Sequence, residues 1–139
     1  KKEIEKVCEI AGIHKEILKF KDQYNTMLGE RGVNLSGGQK QRVCIARALV
    51  KKPKILIMDD CLSALDTETE EKIIKSLNEF IKDTTTIISS HRISSIQNLD
   101  KIIVLNDGKI IQKGSHEELI NENGYYKQLY FKQLTEKED

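Results

Sequence analysis

Residues 55–60 read Ile55-Leu56-Ile57-Met58-Asp59-Asp60, four apolar residues running directly into two carboxylates. A short apolar run of this kind predicts a strand buried on both faces, as in a parallel sheet. Its end is chemically suggestive: one acid could hold Mg²⁺ and the next could orient or deprotonate an attacking water. Many strands also end in acids that merely face solvent, so this stretch alone leaves both meanings open.

Upstream of it, Pro53 stops a helix predicted over Gly38 to Val50, whose apolar residues Val43, Ala46, Leu49 and Val50 follow the 3.6-residue period. Leu35-Ser36-Gly37-Gly38-Gln39 stands at the entry of that helix. Two glycines allow close backbone approach to a phosphate, Ser36 supplies a hydroxyl, and a helix N-terminus points free N–H groups at an anion. Taken singly, Ser-Gly-Gly is also an ordinary glycine loop before a helix. Further upstream, Glu3 to Ile10 reads as a short helix ended by Gly12, and His14 to Phe20 as another helical turn. Asp22 to Gly32 has no period and reads as a loop.

Downstream, Ser63-Ala64-Leu65-Asp66 is a tight turn in which Asp66 suits a helix cap. An amphipathic helix follows over Thr67 to Lys82, with Thr67 and Glu70 as a candidate capping box. Thr85 to Ser89 is a second strand, with His91 just beyond it, where open α/β sheets bind ligands. Ile102 to Leu105 is a third strand, and Asp107-Gly108 gives a two-residue turn into Lys109 to Lys113. Ser115 with Glu118 caps a further helix ended by Gly124, and Tyr125 to Leu134 forms the last. Strands alternating with helices predict an α/β fold with a largely parallel sheet.

Composition excludes several function classes. The chain has 139 residues and 32% charged residues, with 23 Lys+Arg against 22 Asp+Glu, a net charge of +1. No basic field therefore points to nucleic acid. Its longest apolar runs are far short of the ~20 residues that cross a bilayer. Cys8, Cys44 and Cys61 are odd in number and widely spaced, which suits reduced thiols better than a disulfide frame or a zinc site. Asn34-Leu35-Ser36 matches a glycosylation sequon, a pattern common by chance. The chain opens Lys1-Lys2-Glu3 with neither Met nor leader, which reads as a cut piece of a longer polypeptide.

Order and spacing sharpen these signals. LSGGQKQR, then ILIMDD, then SALD, then a strand ending in SHR is the ordered motif set of ATP-binding cassette (ABC) ATPases. The chain resembles the C-terminal part of an ABC transporter nucleotide-binding domain, most tightly from Gly29 to Gly114. Thr26 to Gly32, TMLGERG, looks like the X-loop of exporters, and IIVLNDGKIIQKGSHEEL resembles the family's edge hairpin and following helix. The resemblance implies a partial P-loop NTPase fold with an edge hairpin and part of the ABC helical subdomain. Residues 1–52 would belong to the helical subdomain and 53–139 to the ATPase core.

By the same resemblance, Leu35, Ser36, Gly37, Gly38 and Gln39 form the signature, which contacts the γ-phosphate of ATP held by an opposing nucleotide-binding domain. Asp59 closes the Walker B strand and would hold Mg²⁺ through water, and Asp60 occupies the catalytic carboxylate position. Asp66 would lie in the D-loop at the dimer interface, and His91 would be the switch histidine. Glu30 and Arg31 would face the coupling helices of a transmembrane domain. The parent protein would be an ATPase on the cytoplasmic side of a membrane, the piece itself soluble, the cofactors ATP and Mg²⁺, with no nucleic acid partner.

Two departures from the family pattern matter. Asp60 stands where Glu is usual, one methylene shorter, and positioning is sensitive at the ~1 Å scale. In heterodimeric exporters, subunits with this Asp often form a slowly hydrolysing site, although His91 is intact here. Second, none of the eight glycines opens a GxxxxGK[ST] loop; Gly108-Lys109 precedes Ile110. The chain alone is therefore expected not to hydrolyse ATP, and to expose apolar surface and strand edges that self-associate or leave the region before Ser36 rearranged. Two other readings stay open: a non-transport ABC ATPase, disfavoured by the absence of heptads before Leu35, and a non-catalytic interaction or regulatory piece.

Overall fold

A computed structural model describes residues 1–29 and 33–138. Glu30 and Arg31, expected to meet coupling helices, and Gly32 of the X-loop lie outside the described residues. Two compact units are present, Lys1–Ser89 and Ser90–Asp139.

The first unit runs α1 (Lys2–Ile10), α2 (His14–Ile17), α3 (Gly37–Leu49), β1 (Ile55–Asp59), α4 (Thr67–Phe80) and β2 (Thr85–Ser89), with a 3-10 turn at Gln23–Asn25. Gly12 adopts φ 69°, which lets the chain reverse after α1 at no Cβ cost. Val7, Cys8, Ala11 and Ile13 then pack with Ile45 and Leu49 of α3, Leu56 and Met58 of β1, and Ile73, Ile74 and Leu77 of α4 in one core. Strands β1 and β2 pair in parallel, with Leu56 opposite Thr86 and Ile57 opposite Ile87.

The strand β1 is not buried on both faces. Leu56 and Met58 are 5% and 4% exposed, whereas Ile55 and Ile57 are 62% and 69% exposed. The physical reason is the missing second layer: alternate side chains enter the helical core, and among the described residues nothing covers the opposite face. The cap of α4 also differs from the Thr67/Glu70 expectation. Asp66 is the N-cap, its Oδ1 accepting the Thr69 N–H at 2.9 Å, and Glu70 is buried instead. A carboxylate one residue earlier competes successfully for the free N–H groups of the first turn.

The second unit contains a 3-10 turn (Ile93–Ser95), β3 (Ile102–Asn106), β4 (Lys109–Gly114), α5 (His116–Asn121) and α6 (Tyr125–Glu138). Strands β3 and β4 form an antiparallel hairpin through Asp107 and Gly108, at φ 48° and 72°. Positive φ at both central residues is what a type I′ turn requires. The Ser115/Glu118 capping box forms as read, with the Ser115 N–H donating to Glu118 Oε2 at 2.7 Å. Ile93, Ile102, Leu119 and Tyr126 make a separate small core. The architecture is α/β, with one parallel strand pair and one antiparallel hairpin. Among the described residues no helix is long and apolar enough to cross a membrane.

Candidate functional site

The site builds outward from the C-terminal end of β1. Asp59 is the last strand residue and is exposed. Asp60 then turns into the left-handed region at φ 45°, a conformation Asp tolerates better than most residues. Its N–H still donates to the Ser89 carbonyl at 3.0 Å, so the parallel ladder holds the turn from one side. Its carbonyl accepts the Ser63 hydroxyl at 3.0 Å and the Ser63 N–H at 3.4 Å, closing the tight turn that leads to Asp66. The Asp66 carboxyl is held below its usual value by the Thr69 backbone N–H.

Helix α3 begins at Ser36 with a complete capping box. Ser36 Oγ accepts the Gln39 N–H at 3.2 Å, and Gln39 Oε1 accepts the Ser36 N–H at 2.9 Å. The Ser36-x-x-Gln39 spacing carries this signal in the sequence. Gln39 Nε2 donates to Glu16 Oε2 at 2.7 Å, so the signature glutamine is engaged at both ends of its amide. Glu16 also pairs with Arg42, whose Nη1 donates to the Gly12 carbonyl at 2.8 Å. Burial opposes ionisation of Glu16, but hydrogen bonds from Arg42 and Gln39 outweigh it and hold the carboxyl below its ordinary range. Leu35, half-buried, lines an apolar cavity of about 310 Å³ with Val7, Cys8, Tyr24 and Val43.

The first unit brings the α3 entry and the β1 end together. A Cβ on Gly38 would lie 2.9 Å from Leu65 Cδ2 and 3.1 Å from the Ala64 carbonyl oxygen, and one on Gly37 would lie 3.6 Å from Ala64 Cβ. Gln41 bridges the same gap: its Oε1 accepts the Ala64 N–H at 3.0 Å, and its Nε2 donates to Ser63 Oγ at 3.1 Å and to the Asp60 carbonyl at 3.4 Å. Gln41, Glu16 and Arg42 are the residues sequence reasoning missed. The partners just named lie 19 to 30 residues away, and no local pattern encodes such contacts.

His91 belongs to the second unit, where its side chain is exposed. Gln133 of α6 fixes its backbone, donating from Nε2 to the His91 carbonyl at 2.7 Å while Oε1 accepts the Ile93 N–H at 2.9 Å.

The donor set fits a nucleotide and its metal. The exposed Asp59 carboxylate is a hard oxygen donor of the kind Mg²⁺ prefers. The first-turn N–H groups of Gly37 and Gly38, beside the Ser36 hydroxyl, suit a phosphate oxygen.

The family model described as ABC transporter matches residues 3–63. The chain is 51% identical, over 99% of its length, to the multidrug resistance-like ATP-binding protein MdlA of Buchnera aphidicola subsp. Schizaphis graminum, covering 24% of that protein. It is 47% identical over 96% of its length to ATP-binding cassette sub-family B member 6 of Xenopus tropicalis, covering 16% of it. The fold matches a bacterial Atm1-family ABC exporter with ATP bound, with a TM-score of 0.88 and 41% identity, over 96% of this chain and 24% of that one. The chain thus spans about a quarter or less of the length of these relatives. Over nearly its whole length the chain is similar to the C-terminal part of the nucleotide-binding domain of ABC exporters.

Proposed function

We propose that this chain forms part of an ATP-driven motor that powers transport across a membrane, completing nucleotide sites shared between two nucleotide-binding domains. The observation that carries the reading is the juxtaposition of a capped, glycine-faced helix entry with a strand ending in Asp59 and Asp60. One offers N–H groups to a phosphate, and the other offers carboxylates to a metal and a water. Each would serve a different nucleotide, since the signature faces the ATP of the opposing domain in this family.

In this reading Ser36, Gly37 and Gly38 bind the γ-phosphate across the dimer interface, flanked by Leu35 and Gln39. Asp59 holds Mg²⁺ through water; the ion, when bound, neutralises charge on the phosphates. Asp60 orients the attacking water, Asp66 lies at the dimer interface, and His91 contacts the γ-phosphate. The transmembrane partner meets Glu30 and Arg31. Residues 1–52 act with the helical subdomain and 53–139 with the ATPase core. The shorter Asp60 side chain supports a slowly hydrolysing site, with the intact signature serving the partner's faster one. Because the 139 residues contain no phosphate-cradling GxxxxGK[ST] loop, the chain by itself is not expected to hydrolyse ATP.

Gly37→Glu separates folding from function. A side chain fits there at ordinary contact distance, and an acid in the first helical turn favours the helix dipole while repelling phosphate. In the complete polypeptide that carries this sequence, Gly37→Glu should fold normally and lose ATP turnover by about 10²-fold or more. Wild-type turnover in that variant would overturn the reading. For the 139-residue chain alone, millimolar ATP should leave the melting temperature unchanged; a saturable shift would show a binding site that this reading lacks.

A further inference from the structure

We propose that Gln41 is a positioning residue that locks the turn after Asp60 to helix α3, so that the two nucleotide sites in which this chain takes part respond to one another; this rests on the function proposed above. Its side chain, on α3, hydrogen-bonds that turn with both ends of its amide. Oε1 accepts the Ala64 N–H at 3.0 Å, while Nε2 reaches Ser63 Oγ at 3.1 Å and the Asp60 carbonyl at 3.4 Å. The partners fix the amide's orientation, because the Ala64 N–H can only donate and the Asp60 carbonyl can only accept.

Two features make this contact directional. Asp60 sits in a left-handed conformation, and its backbone is restrained at three points: Ser89 on its N–H, and Ser63 and Gln41 on its carbonyl. A residue held at positive φ keeps its side-chain aim only while its surroundings over-determine it. On the other side, a Cβ on Gly38 would meet Leu65 and the Ala64 carbonyl, so the turn and the helix entry are closely apposed. Movement of α3 on engaging a phosphate is thereby passed to the Asp60 backbone through an amide and a close packing contact. No other side-chain chemistry of this length supplies both an acceptor for Ala64 and a donor for Asp60. Glutamate keeps the first alone, and methionine keeps neither.

The test uses the complete polypeptide carrying this sequence, with Gln41→Met and Gln41→Glu. Deuterium exchange of the peptide covering residues 60–66 should quicken by about tenfold in Gln41→Met, with α4 unchanged, and stay near wild type in Gln41→Glu, which retains the Ala64 contact. The kcat for ATP should fall by about tenfold in Gln41→Met with KM within about twofold, the pattern of a misaimed catalytic group rather than lost binding. Unchanged exchange at 60–66, or altered exchange with unchanged kcat, overturns the proposal. A general rise in exchange across the first unit also overturns it, because Gln41 would then be a plain fold contact. If wild type itself shows no ATP turnover, the proposed function fails, and the exchange data still judge the Gln41 linkage.

Discussion

Gly38 faces the backbone of Ala64 so closely that an added Cβ would stand 3.1 Å from the Ala64 carbonyl oxygen. Its neighbour Gly37 has ordinary space, with 3.6 Å to Ala64 Cβ. The two glycines of the signature therefore answer to different constraints. Gly38→Ala should destabilise the chain by about 1–3 kcal/mol through overpacking against a backbone atom. Gly37→Ala should be neutral or gain up to about 1 kcal/mol of helix propensity. Urea denaturation of both variants checks this, and equal effects would remove the distinction.

Glu16 ties α2 to the signature helix through Gln39 and Arg42. Its carboxyl titrates below its ordinary value of 4.5 in the folded chain. A depressed folded-state pKa contributes stability that is present above the unfolded value and lost as pH falls through the folded one. Glu16→Gln should therefore be less stable than wild type at pH 7. The difference should begin to shrink as pH falls below about 4.5 and vanish below the lower folded-state value, where wild-type Glu16 itself is neutral. Denaturant midpoints of both proteins at neutral and acid pH measure it; a gap that persists in acid would mean the pair does not carry the effect.

Ile57 and Ile87 are register partners on the uncovered face of the β1–β2 pair, 69% and 56% exposed, with Ile55 beside them. A contiguous apolar strip on an open two-stranded sheet favours association. Light scattering of the 139-residue chain should show mass rising with concentration, and Ile57→Lys should suppress it. A wild-type chain that stays monomeric at high concentration would contradict this.

Asp60 combines a short carboxylate with a left-handed backbone. If reach limits hydrolysis, Asp60→Glu in the complete polypeptide carrying this sequence should raise ATP turnover. The added methylene moves the carboxylate by about 1 Å, a displacement large on the scale of catalytic positioning. Unchanged or lower turnover would show that reach does not limit it, and would point to the backbone turn as the stronger constraint.

Much of the fold was legible where the determinants are local. Asp107-Gly108 encodes its own turn, Ser115 and Glu118 encode their own box, and the periodicity of residues 38–50 encodes α3. Failures came where tertiary context decides. An apolar run reads as buried on both sides whether or not a second layer exists, so Ile55 and Ile57 were misjudged. Thr67 and Glu70 match a capping pattern, yet Asp66 reaches the first turn sooner and Glu70 enters the core. The motifs name Ser36 to Gln39 and Asp59 to Asp60 as candidates, and the structure sets the two segments against each other. The residues that hold them, Gln41, Glu16 and Arg42, act through contacts that only the folded backbone creates.

Gln133 grips the chain on either side of Arg92 with one amide, 42 residues from the His91 carbonyl it binds. The last helix is thus an anchor for a segment that the motifs alone would credit to β2. A change near the C-terminus, in a stretch without any recognisable motif, can therefore slacken the histidine's mooring as surely as a change beside it.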